Sequence, residues 1–151
     1  MKVAIGCDHA GIDLKSSVLE VLDEYGAHVI DLGTNERESV DYPDYGAAVA
    51  RAVVSGEADL GVVLCGTGIG ISIAANKVVG ARAALCHDTF SARMSREHND
   101  ANILAMGARI VGPGLAQEIV RAWLGGSFAG GRHQRRVEKL DQLDRARELN
   151  G

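Results

Sequence analysis

Short apolar runs alternate with amphipathic stretches from one end of the chain to the other. Lys2–Cys7 (KVAIGC), Ala27–Leu32 (AHVIDL), Ala58–Cys65 (ADLGVVLC), Gly80–Cys86 (GARAALC) and Asn102–Met106 (NILAM) have the length and the apolar or β-branched make-up of strands. Between them, Leu14, Val18, Val21, Leu22 and Tyr25 fall on one helical face, and Gly26 stops the pattern. Tyr45, Val49, Ala52 and Val53 repeat that spacing up to Gly56, and Leu115, Ile119, Ala122 and Trp123 do so before Gly125-Gly126. Pro43 suits the first turn of the helix that follows the polar loop Gly33–Asp44. Strands apolar on both faces that alternate with helices predict a parallel sheet covered on both sides. With right-handed crossovers this is a single-domain, doubly wound (Rossmann-like) α/β sandwich of about five parallel strands, spanning 1–151. Residues 131–151 form a charged helical tail from about His133 to Leu149, after the joint Ser127–Gly131.

Composition narrows the class. A 151-residue chain with 46% hydrophobic residues can bury a core and is too apolar for disorder. No apolar run approaches the roughly 18 residues of a membrane span, and the N-terminus lacks a basic-then-apolar leader. Cys7, Cys65 and Cys86 are too few and too scattered for a disulfide framework, which suits a reducing cytoplasm. No Cys/His spacing reads as a zinc site, so neither metal nor cofactor is expected. Residues 1–60 carry 12 acidic against 4 basic side chains, whereas 61–151 carry 8 against 12. With aromatics at only 4%, no stacking, basic stripe for nucleic acid exists, and a small anion is the better partner for the second half.

In open parallel sheets ligands bind beyond the carboxyl ends of the strands, so the residues just after each strand carry the interest. Asp8-His9-Ala10-Gly11 follows the first strand, Gly66-Thr67-Gly68-Ile69-Gly70 the third, and His87-Asp88 the fourth. The glycine turn opens onto the helix-capable stretch Ile71–Asn76, so its backbone N–H groups can converge on an anionic oxygen. It is neither a dinucleotide fingerprint nor a P-loop, because Ile71 stands where glycine would and no Gly-Lys-Ser/Thr follows. Nor does Cys65 have the arginine of a cysteine phosphatase or the second cysteine of a dithiol. A single cysteine at a helix N-terminus remains, a setting that favours thiolate over thiol and hence a base or nucleophile. Cys7 and Cys86 fall inside strands, where packing is their role. His98 and Asn99 stand between a helix and the fifth strand. Arg132 and Arg136, at i and i+4, would direct two guanidinium groups one way, the geometry of a phosphate clamp or simply of a solvated helix start.

GCDHAG at 6–11, DYPDY at 41–45, LCGTGIGISIAANK at 64–77, SREHNDANILAMGAR at 95–109 and GGRHQRRV at 130–137 together resemble the type B ribose-5-phosphate isomerases. The likeness runs in order along nearly the whole chain, and the wider group includes isomerases of allose and galactose 6-phosphates. It implies a metal-independent, cofactor-free interconversion of ribose 5-phosphate and ribulose 5-phosphate, with Cys65 as the base between C1 and C2. It further implies that His98 opens the sugar ring with Asp8 beside it, while Thr67 and the Gly66, Gly68, Ile69 and Gly70 amides surround the enediolate. His9, Arg132 and Arg136 would hold the phosphate, Asn99 and Arg109 the sugar, and Tyr42 would line the pocket. A branch with a carboxylate base at position 71 is set aside by Ile71. The resemblance also implies a homodimer or a dimer of dimers, with sites built from two chains. A nucleotide- or flavin-binding module and a silent partner subunit are the competing readings.

Overall fold

The computed structural model describes residues 1–151. β1 (Lys2–Cys7), β2 (His28–Asp31), β3 (Leu60–Cys65), β4 (Ala83–Leu85) and β5 (Ile103–Gly107) form one parallel sheet in the order β2-β1-β3-β5-β4. The crossovers run through α1 (Ile12–Glu24), α2 (Tyr42–Val54), α3 (Ile69–Asn76) and α4 (Thr89–Asn99), and α5 (Pro113–Leu124) and α6 (Arg132–Asn150) complete the chain. The doubly wound α/β fold is therefore the one the sequence pattern predicts, tail helix included.

The three central strands are buried on both faces, and their side chains alternate between two cores. Val3, Ile5, Val62, Leu64, Leu104 and Met106 face α1, α5 and Ala92 of α4, in a cluster with Trp123 at its centre of bulk. Ala4, Val63, Cys65, Ile103 and Ala105 face α2 and α3. That second face is built from small residues. A Cβ on Gly6 or Gly61 would come within 2.6 Å of Val49, so α2 lies closer to the sheet than any side chain there would permit.

The outer strands are shorter than the sequence pattern predicts. β2 spans His28–Asp31 within Ala27–Leu32, and β4 only Ala83–Leu85 within Gly80–Cys86. Both are edges, with intermediate or exposed residues throughout, so only their central positions find partners. Cys86 thus lies one residue past its strand, though still buried. Strand order reverses between β1 and β3, and their carboxyl ends, Cys7 and Cys65, open the crevice where a ligand is expected.

No helix is long and apolar enough to cross a membrane. The tail helix α6 contributes one buried side chain, Val137, to the body of the protein. Polar ties add to it: Asp141 receives the Arg82 guanidinium at 3.2 Å, and Asp144 receives the Gly80 N–H at 2.9 Å.

Candidate active site

At the β1/β3 crevice a hollow of about 500 Å³ is lined by Asp8, His9, Tyr42, Cys65, Gly66 and Thr67, together with Ile69, Gly70, Ile73 and Arg109. Asp8 and His9 are fixed by backbone N–H groups. The Asp8 Oδ1 accepts the N–H groups of Ala10 and Gly11, both at 3.0 Å, which folds the turn after β1 and buries the carboxylate. His9 Nδ1 accepts the Val40 N–H at 3.2 Å, so its ring presents the protonated Nε2 outward. Val40 belongs to the loop before α2, the helix that begins at Tyr42. The Tyr42 ring lies against Gly70, where a Cβ would approach its Cζ to 2.5 Å.

The turn after β3 has the left-handed geometry that its glycines allow. Gly68, at φ +75°, is the N-cap of α3 and sits against Met106 and Gly107 at the end of β5. Its N–H donates to the Cys65 Sγ at 3.1 Å, so the sulfur takes the place of a side-chain cap. Thr67 Oγ1 receives the Ile69 N–H at 3.3 Å. The N–H groups of Gly66, Thr67 and Gly70 find no acceptor within the chain. Cys65 is 4% exposed and shares the wall of the hollow with Gly66, Thr67 and Gly70, whose N–H groups are those without an acceptor. Arg109 reaches over from the end of β5, within 3.1 Å of where a Gly66 Cβ would stand, and brings the one cation of the pocket wall besides any charge on His9.

His98, Asn99, Arg132 and Arg136 are not in this hollow. The sequence suggests a connector for His98 and Asn99, but they form the last turn of α4. Because α4 begins above the carboxyl end of β4 and returns to the start of β5, its last turn lies at the amino rim of the sheet. The length of β5, roughly 15 Å at the strand rise, separates that rim from Cys65. There His98 meets α6. Its ring stacks on His133, with centroids 4.2 Å apart, and Arg132 and Arg136 are near enough to act on His133 electrostatically. Asn99 lines a separate groove under α6 with Arg82, Leu140 and Asp144. The expected residues thus form two groups on opposite rims of one chain.

Two contributors have contacts that the sequence pattern did not specify. His87 Nε2 accepts the Gly107 N–H at 3.1 Å and so props the strand end beneath the glycine turn. His133, sitting inside the basic cluster, had no signal of its own beyond its neighbours. The other two cysteines are structural: burial pushes the Cys7 thiol up to about 11, with Lys15 opposing, and burial raises Cys86 as well.

The geometry is that of known proteins. The model of the Ribose/Galactose Isomerase family matches residues 3–140. Ribose-5-phosphate isomerase B of Escherichia coli is 53% identical over 146 residues, covering 97% of this chain and 98% of that protein. The D-erythrulose-4-phosphate isomerase of Pectobacterium atrosepticum is 46% identical over 141 residues, covering 93% of each. The solved structure of ribose-5-phosphate isomerase B from Clostridium thermocellum superposes with a TM-score of 0.94 at 57% identity, covering 97% of this chain and 99% of that one. With a family match across most of its length and a shared overall fold, the chain belongs to the ribose/galactose isomerase family and is a sugar-phosphate isomerase.

Proposed function

We propose that this isomerase interconverts ribose 5-phosphate and ribulose 5-phosphate, and that each site is completed by a second copy of the chain. The observation that carries the chemistry is the Cys65 sulfur on the pocket wall, in contact with the Gly68 N–H and beside amides that have no other partner.

The sequence of steps follows from those groups. His98 gives a proton to the ring oxygen, the anomeric O1–H gives one up to water, the C1–O4 bond breaks, and the furanose opens to the aldehyde. The Cys65 thiolate then takes the C2 proton. The electron pair moves into a C1–C2 double bond, and negative charge collects on O1. Thr67 and the free amides of Gly66 and Gly70 stand ready for that oxygen, and each preorganised donor of this kind is worth about 10²–10³ in rate. Return of the proton from sulfur to C1, with transfer of the O2 proton to O1, leaves the ketose. His9, Arg132 and Arg136 hold the phosphate, Asp8, Asn99 and Arg109 the sugar hydroxyls, and Tyr42 closes the wall over Gly70. Binding at the phosphate is remote from the reacting carbons and so can be used to orient them.

The two rims explain why a second copy is required. One chain cannot bring His98 to Cys65, since a sheet lies between them, whereas the amino rim of a partner can approach the hollow of the first. Exposed Ile69 and Ile73 line the hollow and exposed Leu85 packs by Gly68, an apolar surface suited to contact between copies. The reading is tested by mixing two dead variants, Cys65→Ala and His98→Asn. In a shared-site dimer, half the mixed dimers are hybrids with one intact site of two, so about a quarter of native activity returns on subunit exchange. Failure to recover any activity from a mixture shown to exchange subunits would exclude sites shared between chains. Isomerisation assayed across ribose, allose and galactose phosphates identifies the sugar, with the pentose expected to have the highest kcat/KM.

A further inference from the structure

His133 and His98 form a face-to-face pair, with ring centroids 4.2 Å apart and planes 11° from parallel. The imidazoles that make hydrogen bonds within the chain are those of His9 and His87, so the orientation of His98 rests on the stack. The helices that carry the pair are joined locally by the Ala129 N–H, which donates to the Glu97 carbonyl at 2.9 Å. We propose that His133 is a positioning residue: its ring holds the His98 imidazole in the orientation from which it delivers a proton to the ring oxygen of a cyclic sugar phosphate. This rests on the assignment of His98 as the ring-opening acid.

The physical case has two parts. An imidazole at a helix end turns about two side-chain torsions, the second of them broad, so without a neighbour its N–H sweeps a wide cone. Proton transfer needs that N–H within hydrogen-bond reach and aligned, and a misplacement of about 1 Å can cost 10²-fold in rate. The flat contact with His133 removes the rotation about the second torsion. The other part is charge. The groups facing His133 are His98 from α4 and Arg132 and Arg136 from its own helix, and with burial as the largest cause they hold His133 below the usual imidazole range. The same causes favour the uncharged form of the His133 ring. A neutral aromatic face also tolerates a cationic neighbour, where two stacked imidazolium rings would repel.

Two measurements separate positioning from mere support of the helix. Ribulose 5-phosphate is acyclic, because its fifth oxygen carries the phosphate, so solvent deuterium exchange at its C1 requires the base but no ring step. His133→Ala should lower kcat for cyclic ribose 5-phosphate about tenfold or more while leaving that exchange rate and KM near native values. His133→Phe, which keeps the flat ring without a titrating nitrogen, should recover most of the loss. Equal losses in isomerisation and exchange, a rise in KM alone, or no loss on the cyclic sugar would each overturn the proposal. His98→Asn is measured alongside. If it fails to distinguish the two readouts, the ring-opening assignment itself is wrong; if it does distinguish them and His133→Ala does not, only the positioning role falls.

Discussion

The two rims of the sheet are built on different principles. At the carboxyl rim, donors come from backbone: the Asp8 turn, the Gly68 cap and the unclaimed amides of the glycine turn are fixed by main-chain geometry. At the amino rim, the interest lies in long side chains on two helix ends, where α4 stops and α6 starts, with one ring stacked on another for support. The first arrangement is suited to holding a developing charge, since rigid amides need no reorganisation when it appears. The second is suited to gripping and letting go. Backbone donors and helix-borne side chains thus stand at opposite ends of the same chain, and in a pair of copies they would meet.

Substitutions that act on one rim alone sharpen this contrast. The largest effect is expected at the carboxyl rim. Cys65→Ala should reduce both isomerisation and C1 deuterium exchange by 10³-fold or about the most that a positioned base supplies, with sugar-phosphate binding retained in a titration. Appreciable exchange in that variant would transfer the base to another group. At the amino rim, Arg136→Ala should raise KM for the phosphorylated sugar about ten- to a hundredfold with kcat little changed, as the loss of one charge-assisted contact predicts. An unphosphorylated pentose should not notice the change, and an unmoved KM would remove the clamp. Smallest is the difference between thiols. Cys65 should be alkylated by iodoacetamide before Cys7, whose buried thiol stays protonated well above neutral pH, and ligand in the hollow should slow only the Cys65 reaction. Mass spectrometry of the labelled peptides reads the order directly.

The carboxyl rim was legible because it obeys a local grammar. β1 and β3 are central, apolar on both faces, and each ends at a polar turn, so the residues after them were certain to share an edge. Asp8, His9, Tyr42, Gly66, Thr67, Ile69, Gly70 and Arg109 line the hollow as that edge suggests, whereas Gly68 packs against Met106 and Gly107 and His87 and Asp88 stand outside the lining. The edge strands were less clear, since β2 and β4 lack the burial that makes a strand visible as an apolar run. α4 is polar enough to bury only Ala92 and Ser95, which hid how far it extends. His98 shows the deeper difficulty. Nearness to the next strand in sequence says that a residue is close to that strand's beginning, which in a parallel sheet is the wrong edge for Cys65. The stack with His133 spans 35 positions of sequence and depends on how α6 docks, which no periodicity encodes.

The docking of α6 has one more effect. A helix seated by one buried apolar side chain, Val137, and by the His133 stack draws the rest of its hold from the Arg82–Asp141 pair and the Asp144 acceptor, which are electrostatic. Dissolved counter-ions weaken such attraction over distances of about 8–10 Å at ordinary ionic strength. Added potassium chloride should therefore loosen the mount that carries Arg132 and Arg136, and act on substrate capture twice: once on the phosphate itself and once on the hand that holds it.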